Sequence, residues 1–300
     1  MRIEKLKQDR VNEFLSYCKK HKMELDDSFL YEEDLQNFEP NDENPTHILT
    51  NQQGIIVGAV SLMIDDYSKR GKKARFRIFH SEMDNIECYT RMMEAILKHT
   101  EGLEKVYLFV PFTNIKLVEF MEGLKFEVER YSFVLVREEL EVPAFRLPPG
   151  YDIRPFHSGS DEETWCEVRN AGFAKLQGSE TPITPEMVQK MMTSEDHIEG
   201  GSMILYHQNR AVGVIRGSDD EYENSPIMNI GPIAILPEYQ GQGLGRSLLR
   251  ASLQFAKEKS YSKTILCVNA DNERAKALYI QEGFEQVEAV TCYKYELSEE

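Results

Sequence analysis

The apolar, β-branched run Ile233-Ala234-Ile235-Leu236-Pro237 is followed closely by Gln240-Gly241-Gln242-Gly243-Leu244-Gly245, and the residues from Leu244 to Phe255 keep a helical apolar spacing. A strand must therefore enter a glycine-rich turn and leave it as a helix. Glycine lets the backbone bend sharply and approach a ligand closely. A helix N-terminus adds N–H groups without intrahelical partners and the positive end of a dipole, which suits a phosphate or pyrophosphate. Arg246 places a charged donor beside that turn. The segment is not a P-loop, because no Gly-Lys-Ser/Thr follows. It is not G-x-G-x-x-G either, because Gly241, Gly243 and Gly245 alternate. Two readings remain at this point: a site for a phosphorylated cofactor, or a turn that only ends a strand.

The chain repeats a longer pattern. Asn209-Arg210-Ala211-Val212-Gly213-Val214 reads as a hairpin entering a strand, and Gln53-Gly54-Ile55-Ile56-Val57-Gly58-Ala59-Val60 reads the same way. Asn272…Phe284 is echoed by Asn114…Phe126 with the same spacing. A period this long means duplicated domains rather than a solenoid. Three hundred residues suit two domains of about 150. The expected division is 1–140, a linker over 141–150, and 151–300. The linker expectation rests on Pro143, Pro148, Pro149 and Gly150, which disfavour helix. The first copy has no glycine loop. It offers Phe79-His80-Ser81-Glu82-Met83-Asp84-Asn85-Ile86-Glu87 instead, with Met121 where the second copy has Tyr279. Carboxylates at that helix start are expected to satisfy its N–H groups and to repel a pyrophosphate. The first copy is thus expected to be a degenerate domain with a structural or substrate-shaping role.

In the second copy, strands are expected near 151–156, 202–207, 211–219, 227–236, 264–268, 285–290 and 291–297. Helices are expected near 162–171, 185–193, 244–259 and 273–282. Mixed strands and helices give an α/β (α+β) sheet domain with helices on both faces. The net charge of −16 argues against nucleic acid as a partner and is compatible with a cationic substrate. No apolar run approaches the ~20 residues of a membrane span, and the N-terminus lacks an apolar signal core. Five isolated cysteines without a C-x-x-C pair suggest neither a disulfide framework nor a metal site, and a reducing cytoplasm is the expected location.

Gln240-x-x-Gly243-x-Gly245 resembles the acyl-CoA pyrophosphate loop of the GCN5-related N-acetyltransferases, written Gln/Arg-x-x-Gly-x-Gly/Ala. Asn272-Glu273-Arg274-Ala275-Lys276-Ala277-Leu278-Tyr279 with Gly283-Phe284 resembles the N-x-x-A-x-x-L-Y…G-F segment of the same family, in the same order. The likeness covers residues 151–297. Ile153-Arg154-Pro155-Phe156 with Asp161-Glu162-Glu163 and Trp165 is loosely similar to the tandem-domain group that includes mycothiol synthase.

The resemblance implies two tandem domains of this fold, with a β-bulge at Gly231-Pro232 that opens a slot for the pantetheine arm. Proline inside a strand fits a bulge, since it cannot donate to the ladder. The implied cofactor contacts are Ile233, Ala234 and Ile235 for the arm, Gly241, Gln242, Gly243, Leu244, Gly245 and Arg246 for the pyrophosphate, and Asn272. Asn272 also reads as a helix N-cap. Tyr279 is the implied acid that protonates the departing thiolate. Relatives carry a glutamate where this chain has Gly231 or Cys267, so the base is open. Asp219, Asp220, Glu221 and Glu223, a water chain, and Cys267 as a nucleophile remain alternatives, the cysteine being expected to be buried and inert. The implied activity is acetyl transfer from acetyl-CoA, without a metal, to a primary amine of a small molecule or peptide. A non-catalytic acyl-CoA-binding protein and acetylation of a cysteinyl amine are the rivals. Neither acceptor nor oligomeric state is written in the pattern.

Overall fold

The computed structural model describes residues 1–26, 28–138, 141–223 and 225–297, without the side chains of residues 32 and 33. The chain divides into two compact units, Met1–Ser132 with Glu288–Glu300, and Phe133–Val287. The boundary expected at residue 140 lies outside the described residues. The segment expected as a linker, 141–150, falls within the second unit, and residues 288–300 fall in the first.

The first unit runs β1 (Arg2–Lys5), α1 (Val11–His21), α2 (Glu32–Gln36), β2 (Thr46–Thr50), β3 (Ile56–Met63), α3 (Asp66–Arg70), β4 (Lys73–Ser81), α4 (Ile86–Ile96), β5 (Lys105–Pro111) and α5 (Ile115–Met121). β6 (Glu127–Arg137) begins here and ends in the second unit. Successive strand residues serve different cores because side chains alternate across a sheet. Leu49, Val57, Val60 and Phe79 join α4 in one cluster. Their neighbours Ile48, Ile56, Ala59 and Ile78 join α1 in another. Both faces are therefore covered by helix.

The second unit continues with β7 (Tyr151–Pro155), α6 (Glu162–Phe173), α7 (Pro185–Met192), β8 (His197–His207), β9 (Arg210–Tyr222), β10 (Ser225–Ile235), α8 (Leu244–Glu258), β11 (Thr264–Asn269), α9 (Glu273–Gln281) and β12 (Glu285–Glu296). Its strand order is β6-β11-β10-β9-β8-β7. β7 to β10 pair antiparallel in succession, and β10 pairs parallel with β11. α8 buries Leu244, Leu248, Leu249, Leu253 and Ala256 on one stripe, the spacing of a core-facing helix. Thr184 caps α7, its side chain accepting from Met187 N, with Pro185 in the first turn where its missing N–H costs nothing.

One strand, β12, replaces the two expected over 285–297. No glycine or proline interrupts Glu285 to Glu296, so nothing breaks the extended run. Its C-terminal part pairs with β5, from Val290↔Pro111 to Glu296↔Lys105, and Tyr293 joins a first-unit core. Among the described residues no helix is long and apolar enough to cross a membrane.

Candidate functional site

β10 carries the expected bulge. Ile230 opposes Gly217 and Ile233 opposes Ile215, so Gly231 and Pro232 together face one residue of β9. An extra residue bends the strand and breaks the ladder locally. Parallel pairing with β11 is recorded at Met228↔Thr264 and Asn229↔Ile265, before the bulge. Beyond it lies a cleft of about 1060 Å³, lined by β10, the glycine loop, α9 and the segment after α6.

The N–H of Leu236 donates to Val212 O at 2.9 Å. Antiparallel alternation then turns the backbone groups of Ala234 toward β9, and those of Ile233 and Ile235 away from it, toward the cleft. Ala234 lines the cleft together with Ile233 and Ile235, while its backbone groups serve the sheet and its methyl packs in the core. The Ile235 carbonyl accepts from Gln240 Nε2 at 3.0 Å, which fixes the start of the loop. Gly172 of α6 sits against this spot. A Cβ there would lie 3.0 Å from Ala234 Cβ and 3.2 Å from Ile235 O. Sequence reading gave Gly172 no role, since a lone glycine near a helix end reads as a weak stop signal.

Gly241 (φ 85°) and Gly243 (φ 80°) are left-handed, and Gly243 is the residue before α8. That backbone region favours glycine. With no capping side chain at Gly243, the first N–H groups of α8 are left for a ligand. Gly241, Gly243, Leu244, Gly245 and Arg246 all line the cleft. Gln242 does not: its amide donates to Glu238 O at 3.3 Å. Arg246 is engaged with Gln281 and with buried Glu282, at 3.4 Å from the latter. Arg250 grips the same carboxylate at 2.7 and 2.9 Å. Arg246 is therefore an anchored charge rather than a loose donor.

Arg274 was missed. It lies in the first turn of α9 and lines the cleft, its guanidinium 3.2 Å from where a Cβ on Gly241 would be. Its place two residues after the motif asparagine was the available signal. Lys175 lines the cleft as well, and Asp271 is the one carboxylate among the described lining residues. The wall bearing Lys175 is pinned. Arg169 donates to Thr181 O at 2.7 Å, Asn170 exchanges bonds with Ile183, and Asn269 donates to Gln177 O at 3.0 Å.

Asn272 Oδ1 accepts from Ala275 N at 3.2 Å and so caps α9. The Nδ2 donors of this side chain and one lone pair of Oδ1 remain for a ligand. Tyr279 lines the cleft, 9% exposed, with Phe284 edge-on at 6.0 Å. Burial pushes its phenol up to about 12.

The acidic turn is elsewhere. Asp219 opposes Met228 and Asp220 opposes Ile227, on the far side of the bulge from Ile233. Four residues separate Met228 from Ile233, five steps of about 3.3 Å or roughly 16 Å. Asp219 accepts from Tyr261 OH at 2.6 Å and Asp220 from Asn229 at 2.8 Å. Neither these residues nor Glu221 and Glu223 line the cleft, so they are not placed to act as its base. Cys267 is exposed rather than buried and is also outside the lining. Gly231 has open space where a Cβ would go.

In the first unit the carboxylates do not cap α4. Asn85 does, accepting from Glu87 N. Glu82 pairs with Lys20 and His21, and Asp84 with Lys116. The side chain of Met121 is buried.

Residues 165–284 match the Acetyltransferase (GNAT) family. The mycothiol acetyltransferase of Pseudarthrobacter chlorophenolicus is 28% identical over 174 residues, 52% of this chain and 51% of that protein. That of Kocuria rhizophila is 30% identical over 155 residues, 49% and 50%. The chain spans about half the length of the curated relatives it matches. Its fold is similar to a GCN5-related N-acetyltransferase from Sphaerobacter thermophilus, with a TM-score of 0.73 at 15% identity over 98% of this chain and 95% of that one. It is also similar to a tandem GNAT protein from the clavulanic acid biosynthesis pathway, with a TM-score of 0.70 at 14% identity over 100% and 99%.

Proposed function

Because residues 165–284 carry a GNAT-family acetyltransferase domain, we propose that the chain moves an acetyl group from acetyl-CoA to a primary amine, in the cleft of the second unit. One observation carries the reading: a strand opened by a bulge, an N–H-lined helix start and a buried tyrosine border a single cleft. The pyrophosphate would rest on the first N–H groups of α8, with Arg274 and Lys175 supplying charge. The pantetheine arm would follow Ile233 and Ile235, and Asn272 Nδ2 would donate to it while Oδ1 caps the helix. The amine nitrogen attacks the thioester carbon. The carbon–sulfur bond breaks, and the thiolate takes the Tyr279 proton. The nitrogen releases its own proton to water, and water returns one to the Tyr279 phenolate, so the net products are the N-acetyl amine and the CoA thiol. Backbone N–H groups near the bulge would hold the tetrahedral oxyanion.

The cleft also bears on the acceptor. Asp271 is the one carboxylate among its described lining residues, and Lys175 and Arg274 are matched by the pyrophosphate as Arg246 is by Glu282, so the cleft offers little negative charge to hold a polycation. With few carboxylates at hand, the acceptor must give up its proton cheaply. An alkylamine with a pKa near 10.4 costs about 4.6 kcal/mol to deprotonate at pH 7, whereas an α-amine near 7.8 costs about 1 kcal/mol. An α-amine is the better fit. The relatives named mycothiol acetyltransferase favour a cysteinyl amine as a specific case. The test is thiol release from acetyl-CoA against amino acids, cysteinyl amines, N-terminal peptides and polyamines. α-Amines should turn over at neutral pH and polyamines poorly; turnover of polyamines alone would reverse the choice of acceptor, and acetyl-CoA binding without turnover would leave an acyl-CoA-binding protein.

A further inference from the structure

A second chemical site stands out in the first unit, where β4 ends and the glycine loop has no counterpart. His21 closes α1 and His80 is near the end of β4, and both imidazoles are buried. Their rings lie 4.3 Å apart. Glu24 joins them: its Oε1 is 2.9 Å from His21 Nδ1 and its Oε2 is 3.4 Å from His80 Nε2. One ligand atom from each of the three lies within 4.8 Å of the other two.

The remaining nitrogens are held by other groups. His21 Nε2 is 3.0 Å from Glu82 Oε1, which Lys20 also grips. His80 Nδ1 is 2.7 Å from Tyr17 OH. Metal-binding imidazoles have this arrangement: one nitrogen faces the ion, and the other donates to a carboxylate or oxygen that fixes the ring. The residue bearing the third ligand is anchored too, because Asn114 Nδ2 donates to the Glu24 carbonyl at 2.7 Å. The Glu24 carboxylate is half exposed, which gives an ion a way in and leaves a fourth position for water.

We propose that His21, His80 and Glu24 bind one divalent first-row transition metal ion, with zinc as the best fit. Two imidazoles, one carboxylate and an open position make a recurrent zinc donor set, and zinc sits about 2.0–2.2 Å from such ligands. Tetrahedral placement at zinc–ligand distances of about 2.1 Å brings ligand atoms to about 3.4 Å from one another, so the present separations, all within 4.8 Å, must close when the ion binds. The ion replaces the contact between His21 Nδ1 and Glu24. Its two positive charges are met by Glu24 and, one shell out, by Glu82. Bound there it would tie the end of α1 to the end of β4. Isolated cysteines gave no hint of a metal, and the two histidines are far apart in sequence.

The experiment uses the full chain without an affinity tag, treated with chelator, and carrying Cys267→Ala so that the exposed thiol does not compete. Calorimetry with zinc chloride should show one ion per chain. Cobalt(II) should give the visible absorption of a tetrahedral site. Glu24→Gln, at an exposed side chain, should weaken zinc at least tenfold while leaving the circular dichroism spectrum unchanged. Glu82→Gln should weaken it 10–100-fold. His99→Ala, which disturbs the separate His47–His99 contact, should bind as the parent does. No stoichiometric zinc in the parent, or Glu24→Gln and Glu82→Gln that bind zinc as tightly as the parent, would overturn the site.

Discussion

Replacing Tyr279 with phenylalanine removes one hydroxyl and little else. The ring is buried and packs edge-on against Phe284, and both contacts survive. The fold should lose no more than about 1 kcal/mol, the usual net value of one hydroxyl interaction. The chemistry should suffer more. Burial pushes the phenol up to about 12, while a free thiol is near 8.5. In isolation the proton would move uphill by about 3.5 units, or about 4.8 kcal/mol. The thiolate leaving inside the same cleft is desolvated as well, which raises its own proton affinity and narrows the gap. The acid is thus useful but reluctant, and the loss should fall at the low end of the 10²–10⁴-fold range for general acids. A hundredfold fall in kcat is about 2.7 kcal/mol. Steady-state release of CoA thiol, with acetyl-CoA affinity from calorimetry, separates the two effects. The expectation is a fall of about 10² in kcat with Kd unchanged. The raised phenol also sets the pH profile. Tyr279 stays protonated until pH approaches about 12, so the rate should rise as the amine deprotonates and then hold level through pH 10. A variant within twofold of the parent would refute the assignment; a parent whose rate falls near pH 10 through a group absent from the variant would keep Tyr279 as the acid and contradict the raised phenol.

Gly243→Glu puts a side chain on a left-handed backbone, at about 1–2 kcal/mol, and a negative charge on the anion site. Acetyl-CoA affinity should fall by more than tenfold by calorimetry, while Glu82→Gln leaves it unchanged. Arg274→Ala should weaken acetyl-CoA by about tenfold and flatten its dependence on salt, since screened charge carries that contact; an unaltered salt slope would remove Arg274 from the phosphate site. Asp219→Asn and Asp220→Asn should leave kcat and its pH profile within twofold, because both residues lie beyond the bulge. A large rate loss in either would return the acidic turn to the active site.

Local patterns were legible where local physics decides them. The glycine loop could be read because a left-handed backbone at Gly241 and Gly243 needs glycine, and the bulge because Pro232 cannot complete a ladder. The stripe of α8 followed from helical spacing. Contacts made by distant segments were not legible. Gly172 matters only because α6 comes against Ile235, and Arg274 because the first turn of α9 comes over Gly241. Ala234 and Ile235 differ by one strand position, yet register with Val212 sends their backbone groups opposite ways. Glu82 and Asp84 were expected to serve their own helix, but cations brought by α1 and α5 claimed them. The C-terminal strand shows the same limit: its extended character was plain, and its partner β5 was not.

Acetyl transfer in the second-unit cleft is tested most directly by following the acetyl group itself. Acetyl-CoA labelled in the acetyl carbon is incubated with the full chain and an α-amine acceptor, and the products are resolved by mass spectrometry while thiol release is counted. The expected result is labelled N-acetyl amine in equal amount to the CoA released, lost together in Gly243→Glu. Acetyl-CoA that binds but yields no amine-dependent CoA, or an equal rate from Gly243→Glu, would contradict it.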